Sequence, residues 1–198
     1  MNSAFNIEEP TLESPGAGLP FWEWFIAKYV ILPQKLRNTS KRQAIEMFKR
    51  EGQKIIALAN KLNEDQLSKR ALVPRLTGLE DSSRFWSVAM TLEHLIIVNE
   101  RIQIAIEHLS ENDNALPTIG TADVKPEINV DPKTVIARFD FMIQSLEKSV
   151  QLRILSQYRD CKYPHPWFGT LNAEEWLVTV GLHCYIHRVQ INHIVKSI

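Results

Sequence analysis

Apolar residues recur every three or four positions through four separate stretches of this chain, and no stretch of useful length alternates apolar with polar. A helix returns to the same face every 3.6 residues and a strand every second residue, so the pattern predicts helices and argues against a sheet. Ser40 with Gln43 three residues later is a capping box, and Ile45, Phe48, Ile55, Ala59 and Leu62 then define a first long helix over 41–62. Pro74 and Gly78 mark a connection, after which Ser82 or Ser83 caps a second helix reaching Leu109. Its first half, 85–98, is apolar on more than one side, which predicts deep burial and leaves its inward face open. Asp131 followed by Pro132 starts a third helix through Ile136, Phe139, Ile143, Leu146 and Val150, ending near Gln157. Asn172 with Glu175 is a second capping box, with Leu171 and Trp176 as its hydrophobic staple, and this fourth helix runs almost to Ile198.

The expected architecture is an all-α four-helix bundle with a long crossover between the second and third helices, because 110–130 is polar and broken by Pro117, Gly120 and Pro126. A short N-terminal helix over 21–32 precedes the bundle, stopped by Pro33, with Phe21, Trp22, Trp24 and Phe25 docking on the body. The chain thus divides into an N-terminal extension, 1–39, and a bundle, 40–198.

Composition narrows the function. Lysine plus arginine equals aspartate plus glutamate at 23 each, with no basic run, so no nucleic acid is expected as a partner. Two cysteines, Cys161 and Cys184, are too few for a disulfide framework or a cysteine-rich zinc site, and a reducing cytoplasm is the simpler compartment. Residues 1–20 show no basic region followed by an apolar one, and 21–32 contains Glu23 and Lys28 and is far short of a membrane span. No membrane is expected as a partner either.

In the last helix Trp176, Val180, His183, His187, Ile191 and Ile194 share one stripe. Two imidazoles one turn apart on a core stripe have two readings: a pair of core histidines bonded to backbone or carboxylates, or two ligands reaching one ion. A zincin-type protease is excluded by motif, because Cys184 follows His183 where that chemistry needs a glutamate base. Cys184 also lies about 100° around the helix from His183.

The segment from Arg84 to Leu95, which contains "LEHL", the last-helix run "LHCYIHRVQI" and the lead-in "HPWFGTLNAEEWL" from His165 to Leu177 together resemble the DinB-like superfamily of metal-binding four-helix bundles. The resemblance covers roughly Ser40 to Ile198. It implies the long crossover and a three-histidine site, with His94 in the first ligand place and His183 and His187 in the other two. It further implies a divalent transition-metal cofactor, zinc or nickel first, and a low-molecular-weight thiol such as bacillithiol, mycothiol or glutathione. The activity it implies is a thiol-dependent S-transferase or isomerase that activates a thiol or water. A metal-dependent hydrolase and a non-catalytic metal-binding or stress-related protein are the alternatives. The expected partners are a small-molecule substrate and, as a homodimer, a second copy of the chain.

No catalytic residue beyond the three histidines is assigned. His108 and His193 read as structural, whereas His165, in a loop, is the one further histidine able to approach the mouth of the site. Glu93 and Arg188 read as structural neighbours, Gln190 as a group able to bond a ligand or substrate, and Trp86, Trp167 and Trp176 as core.

Overall fold

The computed structural model describes residues 9–117 and 120–198. Its four long helices are α3 (Lys41–Ala59), α5 (Val88–Leu109), α6 (Val135–Gln151) and α7 (Ala173–Ser197). Before them stand α1 (Phe21–Ile26), a π-helical turn (Ala27–Ile31) and α2 (Leu32–Asn38), and α4 (Glu64–Ser68) follows α3. Two short antiparallel ribbons fill the links: β1 (Ala71–Leu72) with β2 (Phe85–Trp86), and β3 (Tyr163–His165) with β4 (Gly169–Leu171).

Around the bundle the order of neighbours is α3, α7, α5, α6 and back to α3. Side-chain contacts give the directions. Arg138 pairs with Glu93, Ser145 bonds Gln103 and Ser149 bonds Glu107, so α5 and α6 run parallel. Lys49 meets Glu147 while Lys41 reaches the Arg153 carbonyl, so α3 and α6 are antiparallel. The parallel α5–α6 pair forces the chain to return the length of the bundle between them, which is the long crossover expected from the prolines and glycine of 110–130. The core fills the middle: Phe48, Ile55, Leu92, Leu95, Ile106, Phe139, Leu146, Leu177 and Val180 are fully buried.

Both predicted capping boxes form. Ser40 accepts the Gln43 N–H and Asn172 the Glu175 N–H, each reciprocated by the glutamine or glutamate side chain. Several boundaries differ from expectation. The first long helix ends at Ala59, not Leu62, because Asn63 opens a capping box of its own for α4. The second starts at Val88 with Ser87 as its cap, 3.1 Å from the Met90 N–H, and not at Ser82 or Ser83. Those two serines lie in a 3-10 turn, and the backbone after them is held extended by pairing of β2 with β1, so the helix cannot begin until that pairing ends.

Asp131 still organises the entry to the third helix, its carboxylate accepting from the Lys133 N–H and the Thr134 hydroxyl, but α6 itself begins at Val135. It ends at Gln151, short of Gln157, where Arg153 donates to the Ser149 carbonyl and Lys41 takes the Arg153 carbonyl. Pro33 does not stop the first helical segment. The helical run is continuous from Phe21 to Asn38, and a π-helical turn stands just before the proline, so the wider i→i+5 pattern falls beside the position where an N–H is missing. Of the aromatics there only Trp24 docks by a hydrogen bond, its indole N–H on the Trp167 carbonyl at 2.8 Å; Phe21, Trp22 and Phe25 stay exposed.

Replacing Ser87 by Ala should lower unfolding stability by about 1 kcal/mol, the usual worth of an N-cap. Urea unfolding followed by circular dichroism measures it, with helical content at zero denaturant unchanged.

Candidate metal centre

His94 stands in the second turn of α5, and His183 and His187 stand one turn apart in the antiparallel α7. Antiparallel packing brings the three rings to one point, with centroids 4.5–5.1 Å apart. The Nε2 atom of His183 lies 3.2 Å from that of His94 and 3.0 Å from that of His187. Ligand nitrogens at roughly 2.0–2.1 Å from one tetrahedral ion stand about 3.3 Å apart, so the spacing fits such an ion.

The protons decide the chemistry of this triangle. His94 Nδ1 lies 2.8 Å from the Val124 carbonyl, an acceptor only, so Nδ1 carries the proton and Nε2 is bare. His187 Nδ1 lies 2.7 Å from Gln190 Oε1. The Gln190 amide is oriented in turn by its NH2 group, which donates to the Ser83 carbonyl at 2.7 Å; His187 therefore also donates from Nδ1 and presents a bare Nε2. Three nitrogens meet with at most one proton among them, contributed by His183, and one proton cannot satisfy both neighbours well. His183 Nδ1 is buried and has no hydrogen-bond partner among the described residues. The set has the character of a cation site and not of a self-contained hydrogen-bond network.

Burial keeps the rings neutral. Desolvation lowers His94 to about 4, against the pull of the Val124 carbonyl. Desolvation and then the neighbouring His94 lower His187 to about 3, opposed by Gln190. Desolvation, then His187, His94 and His165, hold His183 well below its ordinary value. Trp86 covers the inner side, stacked on His187 at 6° between planes and 5.0 Å from the His94 ring. His94 and His187 are buried, and His183 keeps intermediate exposure.

His94, His183 and His187 are the group among the described residues able to hold an ion together. His165 lies in β3, not in an open loop, and is near enough for its charge to be felt at His183. Its ring stacks on Phe168 at 4.6 Å and sits 5.0 Å from Trp176, and burial lowers it to about 4. Gln190 bonds His187. Glu93 is spent on Arg138 and Arg188 on Glu51, while His108 pairs with Asp113 away from the site. The residues that the sequence reading did not find are Val124 and Ser83, which act through backbone carbonyls and leave no side-chain signal.

The family model described as the DinB superfamily matches residues 47–191, most of the chain. The chain belongs to the DinB superfamily. Among solved structures this DinB chain is similar to TT2238, a four-helix bundle protein, at 19% identity and a TM-score of 0.56, over 77% of this chain and 98% of that one. It is also similar to YfiT from Bacillus subtilis, described as a probable metal-dependent hydrolase with an unusual four-helix bundle topology, at 16% identity and a TM-score of 0.58, over 79% of this chain and 86% of that one. At such identities the likeness is one of fold. A search of curated proteins finds no match. The family together with the three-histidine site points to a divalent metal. Among the described residues no helix is long and apolar enough to cross a membrane.

Because these imidazoles titrate near 6.5 when unfolded and well below that in the native site, the unfolded chain binds protons first as pH falls. Stability of the metal-free protein should be flat above about pH 7 and decline from about pH 6.5 towards pH 4. A His183→Ala, His187→Ala double variant should show a shallower decline, measured as urea midpoints across that range.

Proposed function

We propose that this DinB-superfamily protein is a metal-dependent enzyme in which His94, His183 and His187 hold zinc or nickel, and that it transfers or isomerises a small molecule through an activated low-molecular-weight thiol. The observation that carries the reading is the meeting of three Nε2 atoms with no more than one proton among them. Imidazole donors favour borderline transition ions over magnesium or calcium. A divalent ion held there would supply a +2 charge that deprotonates a thiol outright and brings the pKa of a water to about 7.

The chain's own residues prepare that chemistry. Depressed pKa values leave all three rings uncharged at neutral pH, and with Nδ1 of His94 and His187 carrying the proton none has to be expelled from their Nε2 before binding. Val124 and Gln190 fix ring orientation, and Trp86 keeps water from the inner side. The Trp167 N–H donates to His165 Nδ1 at 3.1 Å, so the neutral ring carries its proton on Nε2. His165 is thereby a donor for an oxygen of the substrate beside His183.

No carboxylate joins the histidines among the described residues: Glu93 and Glu51 are ion-paired and Glu175 caps α7. A thiol ionised outright needs no side-chain base, whereas a water brought to a pKa of about 7 is only partly ionised at neutral pH, which favours the thiol. Hydrolysis is the second reading, favoured by the description of YfiT. Cys161 and Cys184 are both free and buried, which supports a reducing cytoplasm as the compartment.

Chelator competition should show one equivalent of zinc bound, weakened on the order of a hundredfold or more in His94→Ala and unchanged in His193→Ala. Cobalt-loaded protein titrated with glutathione should gain sulfur-to-metal absorption in the near ultraviolet. A spectrum indifferent to thiols but changing with pH would replace the transferase by the hydrolase, and wild-type affinity in His94→Ala would remove the site itself.

A further inference from the structure

Seven of the fourteen exposed large apolar residues among those described fall within eleven consecutive positions: Phe21, Trp22, Phe25, Ile26, Tyr29, Val30 and Ile31. Trp22 is 71% exposed and Phe21 62%. They form two adjacent rows at a spacing of four, Phe21–Phe25–Tyr29 and Trp22–Ile26–Val30. Rings touch along the first row, at 6.2 Å and 4.9 Å between centroids. The other side of the same helix is committed to the body: Glu23 pairs with Arg75 at 2.6 Å and accepts the Gly78 N–H, Trp24 holds the Trp167 carbonyl, and Leu32 is buried. The apolar rows are therefore held outward on a fixed support.

With aromatic side chains of roughly 150–250 Å² each, these exposures leave on the order of 700 Å² of apolar surface in one stripe. The largest patch on an ordinary monomer is about 300–600 Å², and each partner in a standard interface contributes about 800 Å².

We propose that this face is the interface of a homodimer, in which the two rows of one chain pack into the groove between the same rows of a second copy. Rows at a spacing of four are the ridges that interlock in the commonest helix–helix packing, and a two-fold axis lets one patch serve both partners. A lipid surface fits less well. A membrane-surface helix sets a lysine- and arginine-rich face towards water, whereas the opposite face here is spent on the protein, with Glu23 paired to Arg75 and Trp24 bonded to the Trp167 carbonyl. Because Trp24 grips the carbonyl of Trp167, the interface would also brace the hairpin that carries His165.

Sedimentation equilibrium of the full chain across micromolar concentrations should give twice the mass of one chain. A Trp22→Glu, Phe25→Glu variant should sediment as a monomer with unchanged helical circular dichroism and unchanged zinc uptake. Ile26→Cys, near the middle of the stripe, should cross-link to itself on mild oxidation. A monomeric wild type, or a dimer that persists in the double variant, would overturn the proposal. So would a monomer that floats with phosphatidylcholine vesicles through Trp22, which would assign the face to lipid.

Discussion

Two imidazole lone pairs facing each other inside a protein are an arrangement that the surrounding structure has to impose. His94 and His187 are each turned by an acceptor behind the ring, the Val124 carbonyl and the Gln190 amide oxygen, and Gln190 is itself turned by the Ser83 carbonyl. With both Nδ1 protons committed outward, the inward nitrogens of His94 and His187 have only the one proton of His183 to share unless a cation lies among them. Burial prevents the cheaper relief of taking up a proton, since desolvation holds His94 at about 4 and His187 at about 3.

Apart from Gln190, which stands in α7 beside His187, the groups around the rings come from outside the four long helices. Val124 belongs to the crossover, Ser83 to the link before α5, and His165 to the hairpin before α7. The helices bring the rings together, and the connections supply the backbone carbonyls against which His94 and Gln190 are turned. This division follows from the topology. A helix of 22 residues such as α5 is about 33 Å long, and a parallel neighbour in α6 requires the chain to travel back that distance. The return path passes the start of α5, where a carbonyl becomes available to His94.

Legibility in the sequence followed the range of the interaction. The capping boxes at Ser40 and Asn172 close within four residues, so their positions could be read directly. The start of α5 could not, because Ser82, Ser83 and Ser87 are comparable as local caps and the choice among them was made by the strand pairing of 71–72 with 85–86. Pro33 misled for a similar reason: a π-helical turn just before it lets the helical run continue past the proline, and nothing at the proline announces that turn. Exposure of Phe21, Trp22 and Phe25 was equally hidden, since an amphipathic pattern states that a face is apolar but not what it meets.

The candidate site divides in the same way. His183 and His187 share a face because they are four residues apart on a helix, a consequence of helical period that any copy of this sequence carries. The identity of the four long helices, their apolar stripes and the length of the crossover are of the same local kind, and the sequence by itself determined them. That His94 stands opposite the pair, that α5 and α6 are parallel, and that Val124 and Ser83 orient the rings were decided only by tertiary structure. Every residue offers the same backbone carbonyl, so which of them meets an imidazole depends on where the chain has been folded and on nothing written in the residue itself.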